Sequence, residues 1–434
     1  MKITKRIKNN RILSNISWIL IGRVAYMAIN FVVGLLSARY LGPSNHGLIN
    51  YAAAYTTFFS SLCTLGINSI IIKELIDNPQ KEGETIGTTL LLKFLSSLLS
   101  YIIIISISFI IDKNETLTKT IVCIYSIYIM FQIFETFKYW FQSKLKSKYP
   151  EIATTIAYII MAGYKIILLA TGKSVEWFAI ANTIEYIVIA ILLYYLYKRN
   201  KGQKLNINLK RGKNILLKSY HFIISGMMVA LYNSTDKFML KRMLTDSDVG
   251  YYAVAVSISN LATFLLSAII QSLTPVIMET YKNDNQKYKK LNKQLYCIVF
   301  YISAFISIVI FVFSKFIINI LYGDKYSLAI LPLNILTWYT AFSYLGVARD
   351  VWLVCENKQK YSKYIYIYAA IANVIINYLL IPIWGAAGAA LASLITQIGT
   401  IFIFPLFIKE LRPNVKLMID GILFKNVKRR FMDE

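Results

Sequence analysis

Asp236 and Lys237 stand side by side in NSTDKFML, near the end of an apolar stretch that begins at Ile215. Similar intrusions recur along the chain: Arg23, Lys93, Lys165, the pair Arg349–Asp350, Glu135 and Glu185 all sit among aliphatic and aromatic residues. A charge at the centre of a hydrocarbon layer costs about 2.5–3.5 kcal/mol on insertion scales, so such side chains normally face a protein interior or water. Cations held there suit an anion, since Arg offers a planar fork for phosphate oxygens and Lys a point charge. Carboxylates there can neutralise those cations, brace neighbouring helices, or carry a proton or sodium ion.

Spacing sorts these residues further. Arg23, Tyr26, Asn30 and Ser37 follow one another at three, four and seven residues, one polar stripe down an apolar helix. Asn233 lies three and four residues before Asp236 and Lys237, on the same side of a helix. Two readings stand for Lys237: a place in a polar passage, or snorkelling to the outer surface with Asp236 beside it. Arg23 lies deep enough in its segment, on the order of 13 Å at ~1.5 Å per residue, for a cavity role, and Lys93 is at similar depth. Lys165 can either snorkel or face a cavity. Arg349–Asp350 can be an internal ion pair or line a mouth. Asp236, Glu135 and Asp350 are the candidates for ion coupling, with H+ or Na+ as the ion; no other cofactor is expected.

The elements that must position these side chains follow from composition. Apolar residues make up 57% of the chain and charged residues 16%, and mean hydropathy is +0.53. A soluble domain carries about 25% charged residues and has no long apolar runs. Here runs of about 20 residues, each enough to cross a hydrocarbon core of ~30 Å, recur throughout. They are continuous and do not alternate, which excludes barrel strands. The expectation is an all-α polytopic membrane protein with twelve spans. The first span is too long, and lacks the small-residue site, to be a cleaved signal peptide. The last two, 364–384 and 385–411, meet at the turn in IPIWGAAG.

Orientation comes from the basic residues. With the N-terminus inside, the inner segments hold 34 Lys and Arg and the outer ones 9, which places both termini in the cytoplasm. The net charge of +25 is therefore mainly a topology signal. Spread over many short segments, it does not form the single basic patch that nucleic-acid binding needs. Cys63, Cys123, Cys297 and Cys355 lie in or at the ends of spans, so no disulfide framework is expected. His46 and His221 stand alone, and no G-x-x-x-x-G-K-[ST] phosphate loop occurs.

The longest basic linker, 198–214, divides the spans six and six. The expected organisation is a tail over 1–13, a bundle over 14–197, the linker, a second bundle over 215–411 and a basic tail over 412–434. Shifting the first half by 203 positions places Asn30 on Asn233, Arg39 on Arg242, Gly47 on Gly250 and Ala52 on Ala255. Internal repeats of this kind are common in transporters.

SARYLGPSNHGLINYA, TLGI, YNSTDKFML with DSDVGYYAVA, LYGDKY and NVIINYLLIPIWGAAGAALASLITQ together resemble the bacterial polysaccharide-unit flippases, which move O-antigen or capsular repeat units. These belong to the multidrug/oligosaccharidyl-lipid/polysaccharide exporter superfamily. The resemblance implies two six-helix bundles around a central cavity in the bacterial inner membrane. It also implies an undecaprenyl-pyrophosphate-linked oligosaccharide as substrate, passed between leaflets by alternating access, with a polysaccharide polymerase or chain-length regulator as a partner. The cavity would take Arg23, Asn30, Lys93, Lys165, Asn233, Lys237 and Arg349. Alternatives within the superfamily are a cation-coupled multidrug exporter, for which Arg23 is a poor residue, and a lipid II flippase, which usually has fourteen spans. From another class, a membrane-embedded enzyme of the polysaccharide pathway would want a large external loop, and the loops here are short.

Overall fold

A computed structural model describes residues 2–423 of the 434. The described residues are almost wholly helical, with no strand among them. The helices are α1 (Lys2–Thr64), α2 (Asn68–Asp77), α3 (Glu82–Ile111), α4 (Thr116–Ser126), α5 (Tyr128–Gln132), α6 (Thr136–Ser143), α7 (Lys148–Thr171) and α8 (Val175–Arg199). After the linker come α9 (Leu209–Met243), α10 (Asp246–Ser259), α11 (Thr263–Asn283), α12 (Asn285–Leu321), α13 (Ile330–Cys355), α14 (Ser362–Ile398) and α15 (Arg412–Ile422). The long apolar runs are helical over most of their length among the described residues. In lipid the backbone must satisfy its own hydrogen bonds, so a long apolar run has little choice but to coil.

Nine stretches among the described residues are long and apolar enough to cross a membrane. Two of them, Val24–Thr64 with 41 residues and Gln359–Phe407 with 49, have room for a pair of spans. Both break where a glycine takes a positive φ. Gly42 (73°) does so just before Pro43, and Gly385 (57°) shortly after Pro382. The expected turn in IPIWGAAG is thus placed at its first glycine.

Packing gathers the chain into two compact units. One comprises the residues through Leu41 together with Leu48–Ser234, and the other comprises Gly42–Gly47 together with the chain from Thr235 onward. The division falls inside α9, after Ser234, rather than at the linker 198–214. The cause is local: the linker is laid along α3. The Gly83 N–H donates to Gln203 Oε1 at 3.0 Å, Asn206 N–H donates to Gly83 O at 3.2 Å, and Asn208 N–H donates to Thr88 Oγ1 at 2.9 Å. Gly83 and Gly87, one turn apart, leave the space through which the Lys204 and Asn206 carbonyls pass. Arg211 then donates to Thr85 Oγ1 at 2.8 Å, so the first turns of α9 stay with the first unit.

The core of the first unit holds Ile67, Ile71, Phe137, Trp140, Phe141 and Leu193. That of the second holds Leu295, Tyr296, Leu345, Trp352, Ile365 and Met418. In the second unit α12 packs on α13 and α13 on α14.

Candidate functional site

Within the first unit, charged side chains from the apolar runs, buried or half-buried, converge among tyrosines. Lys93, on α3, is 2% exposed, and its Nζ stands 5.1 Å from the centre of the Tyr139 ring. A cation over an aromatic face is attracted by the ring quadrupole. The carboxylate within Coulomb reach of Lys93 is Glu135. Glu135 ends the 3-10 turn Ile133–Glu135 between α5 and α6, and pairs with Lys138 at 2.6 Å. Lys165 on α7 and Glu185 on α8 lie within Coulomb reach of each other, and Glu185 also lies within reach of Lys138 and Glu135.

Aromatic rings close this group. Tyr26 lies on Tyr158 with ring centres 4.3 Å apart, and Tyr128 stacks on Tyr186 at 4.9 Å. Asn182 donates to the Tyr125 hydroxyl at 2.7 Å. Asn30 hydrogen-bonds Tyr26, which feels both Glu185 and Glu135. The structure therefore brings Asn30, Lys93, Glu135 and Lys165 into one neighbourhood. Ser37, from the same stripe, is buried and donates back to Val33 O at 2.7 Å. The Arg23 side chain lies outside the described residues. Cations beside aromatic faces can hold an anion and stack against sugar rings.

The second unit is built differently. Asp236 is 4% exposed and its carboxylate takes hydrogen bonds from three side chains on two other helices. The Tyr252 hydroxyl of α10 donates to it, as do Ser393 Oγ at 2.5 Å and Asn377 Nδ2 at 2.6 Å, both from α14. Asn377 Nδ2 also reaches Asn373 Oδ1 at 3.0 Å, and Asn377 Oδ1 is buried with no hydrogen-bond partner among the described residues. Asp236 thus ties α9, α10 and α14 together through uncharged donors. Asn233, one turn earlier, is exposed, and Lys237 is partly buried within reach of the Asp236 charge. The octapeptide splits, with its aspartate turned into the unit and its asparagine turned away.

Arg349 is 2% exposed and enclosed by the core of the second unit. Its Nη1 donates to Thr400 O at 2.8 Å, and its Nη2 lies 3.7 Å from Asp350 Oδ1. Thr400 belongs to the π-helical turn Gly399–Ile403, where the widened backbone pairing leaves carbonyls for a side-chain donor.

Sequence reasoning passed over several buried polar groups. Asp112, expected in an outer loop, is 1% exposed and accepts from Tyr51 at 3.1 Å, Tyr55 at 3.2 Å and Ser108 at 3.0 Å. The i, i+4 spacing of Tyr51 and Tyr55, and of Ser108 and Asp112, was the available signal. Glu82 accepts from Trp140 Nε1 at 2.7 Å and from Lys144 Nζ at 3.0 Å, and Lys144 also lies over the Trp140 ring. Glu82 does not stand out in sequence, because it precedes an apolar run rather than interrupting one.

Charged side chains set among long apolar helices, with many stretches among the described residues long enough to cross a membrane, mark a multi-pass membrane protein. Comparison with known proteins narrows the class. Residues 12–281 match the family described as polysaccharide biosynthesis protein, and residues 222–379 match the family MatE. The chain is 20% identical to the capsular polysaccharide biosynthesis protein CapF of Staphylococcus aureus over 408 residues, covering 92% of this chain and 99% of that one. It is 26% identical to a putative O-antigen transporter of Salmonella typhimurium over 195 residues, covering 43% of this chain and 44% of that one. In fold it is similar to the lipid II flippase MurJ in its inward closed conformation. That likeness has a TM-score of 0.71 over 93% of this chain and 91% of that one, at 13% identity. The chain belongs to the polysaccharide biosynthesis protein family, flippases of the multidrug/oligosaccharidyl-lipid/polysaccharide exporter superfamily, and is a transporter rather than an enzyme.

Proposed function

We propose that the protein moves undecaprenyl-pyrophosphate-linked oligosaccharide repeat units from the cytoplasmic to the outer leaflet of a bacterial inner membrane, with both termini in the cytoplasm. The units would feed O-antigen, capsule or a related surface polysaccharide, handed on to a polymerase or chain-length regulator. The observation that carries this reading is the cluster of Lys93, Lys138 and Lys165 with Glu135 and Glu185 among stacked tyrosines. The polyprenyl tail can remain in lipid while sugar and diphosphate cross. A diphosphate without compensating charge in low dielectric would pay several kcal/mol. Lysines supply that charge, and tyrosines supply stacking faces and hydroxyls.

Mass action from downstream polymerisation or an ion gradient can drive alternating access, and for an ion gradient Asp236 is the residue we assign to coupling. Its carboxylate and Asn377 Oδ1, unpartnered among the described residues, are oxygen ligands for Na+, or Asp236 carries H+. The MatE match over 222–379 raises a second reading, a cation-coupled multidrug exporter. A cationic drug would meet the same lysines, which disfavours it.

The test is surface polysaccharide in cells whose only copy is Arg23→Ala or Lys93→Ala, at normal protein abundance. Export should fall in both, with lipid-linked units accumulating inside. Full export by both variants would overturn the reading.

A further inference from the structure

At the linker end of the first unit lies a cavity of about 380 Å³, lined by Glu74, Asn78, Lys210, Arg211, Asn214 and Lys218 among others. Its size is that of a small-ligand site. None of these residues belongs to the tyrosine-lined cluster. The three cations come from the first turns of α9, at spacings that put Lys210, Asn214 and Lys218 on one helical face. Glu74, from α2, is the one acid in the wall.

The charges do not cancel. Lys218 pairs with Glu74 at 2.7 Å, and Arg211 reaches the same carboxylate at 4.0 Å. Arg211 is also held from the α3 side, by Glu84 at 3.7 Å and Thr85 at 2.8 Å. Lys210 and Asn214 have no partner among the described residues, which leaves an ammonium and an amide to meet an occupant. Pinning of the linker on Gly83 and Gly87 fixes the start of α9 and holds the cavity open without a ligand.

The surroundings are apolar where a soluble protein would be polar. Leu209 is 73% exposed and Leu217 61%, and they flank Lys210 and Lys218 in sequence. Ile76 and Ile207 are exposed on the adjoining segments. A basic hollow with exposed aliphatic side chains on the segments that form it suits a group whose head is anionic and whose tail is hydrocarbon. The count of basic residues puts this end of the unit on the cytoplasmic side, where anionic lipid concentrates and attracts nearby Lys and Arg.

We propose that this cavity is a binding site for the phosphate of a membrane lipid, formed by Lys210, Arg211, Asn214 and Lys218 and separate from the tyrosine-lined cluster. Two lipids carry that chemistry in such a membrane: an ordinary anionic phospholipid, and a polyprenyl diphosphate.

Binding is measurable without transport, so its failure leaves the flippase reading untouched. Purified full-length protein in detergent would be examined by native mass spectrometry and thermal unfolding, with phosphatidylglycerol, phosphatidylcholine, a polyprenyl diphosphate and inorganic pyrophosphate as probes. Retention of phosphatidylglycerol over phosphatidylcholine by the wild type, with a loss of at least fivefold in Lys210→Ala and in Asn214→Ala, is the expected result. Retention of the polyprenyl diphosphate in preference to phosphatidylglycerol, with the same losses, also supports the site and names the carrier as its source. Lys201→Ala and Lys213→Ala, which remove exposed charges outside the cavity, should bind as the wild type does. Equal loss in those two, no loss in Lys210→Ala, or pyrophosphate binding as tightly as either lipid, would each overturn the proposal.

Discussion

Gly47 and Gly250, which the shift of 203 residues superimposes in sequence, meet in the second unit as a reciprocal pair. A methyl group on Gly47 would run into the Asp246 carbonyl, and one on Gly250 would run into the Pro43 carbonyl. Pro43 and Asp246 are themselves related by the same shift. Each glycine therefore admits the turn that precedes the other, and a methyl group on Gly47 would also come within 3.0 Å of the Gly250 nitrogen. The repeat is thus more than a chance of four identities: its two copies make the same contact in opposite senses.

Gly47→Ala and Gly250→Ala should each lose about 1–3 kcal/mol, the usual cost of overpacking, because the obstruction is backbone and cannot rotate away. Gly34→Ala has open space around its new methyl and should unfold as the wild type does. Thermal unfolding in detergent checks this, and a stable Gly250→Ala would show that the two turns can separate at no cost.

Asp236 supports both packing and, as proposed, coupling, and two substitutions pull these apart. Asp236→Ala strands the Tyr252, Ser393 and Asn377 donors, each at a cost of about 1–3 kcal/mol, and should lower protein abundance. Asp236→Asn keeps the shape and removes the charge. It should fold yet lose export, together with any rise in unfolding temperature that Na+ gives the wild type. Wild-type export by Asp236→Asn would remove this residue from the coupling step.

For the tyrosine-lined cluster, charge and shape are separable at Lys93. Lys93→Ala should lower export at least tenfold at normal abundance, whereas Lys93→Arg, which keeps a cation over the Tyr139 ring, should retain part of it. Lys165→Ala removes a cation within Coulomb reach of Glu185 and should behave like Lys93→Ala. If Lys165→Ala instead exports normally, Lys165 serves only to neutralise its neighbour.

Docking of the linker on α3 depends on the missing side chains of Gly83 and Gly87. Gly87→Val should displace the Asn206 carbonyl and expose the linker to protease. Limited proteolysis would show cleavage near 200–208 at a rate at least tenfold above wild type. An unchanged rate would mean that the hydrogen bonds of Gln203 and Asn208 hold the linker without the groove.

Fold class, the helical course of the apolar runs and the turn at Gly385 were legible in the residues alone. In lipid each apolar run of sufficient length must satisfy its backbone internally, so length and hydropathy translate almost directly into helix. Charges in those runs likewise marked themselves, since leaving them there is costly. Tertiary structure decided how each helix is turned about its axis, and therefore which charges meet. Nothing in NSTDKFML separates Asp236, buried on Tyr252, Asn377 and Ser393, from exposed Asn233 one turn away. Lys93 and Lys165 come within reach of carboxylates on other elements, the 3-10 turn that ends at Glu135 and α8, and Arg349 finds a carbonyl of a π-helical turn. Helix rotation is fixed by packing against several neighbours at once, a sum of many small contacts that no local spacing records.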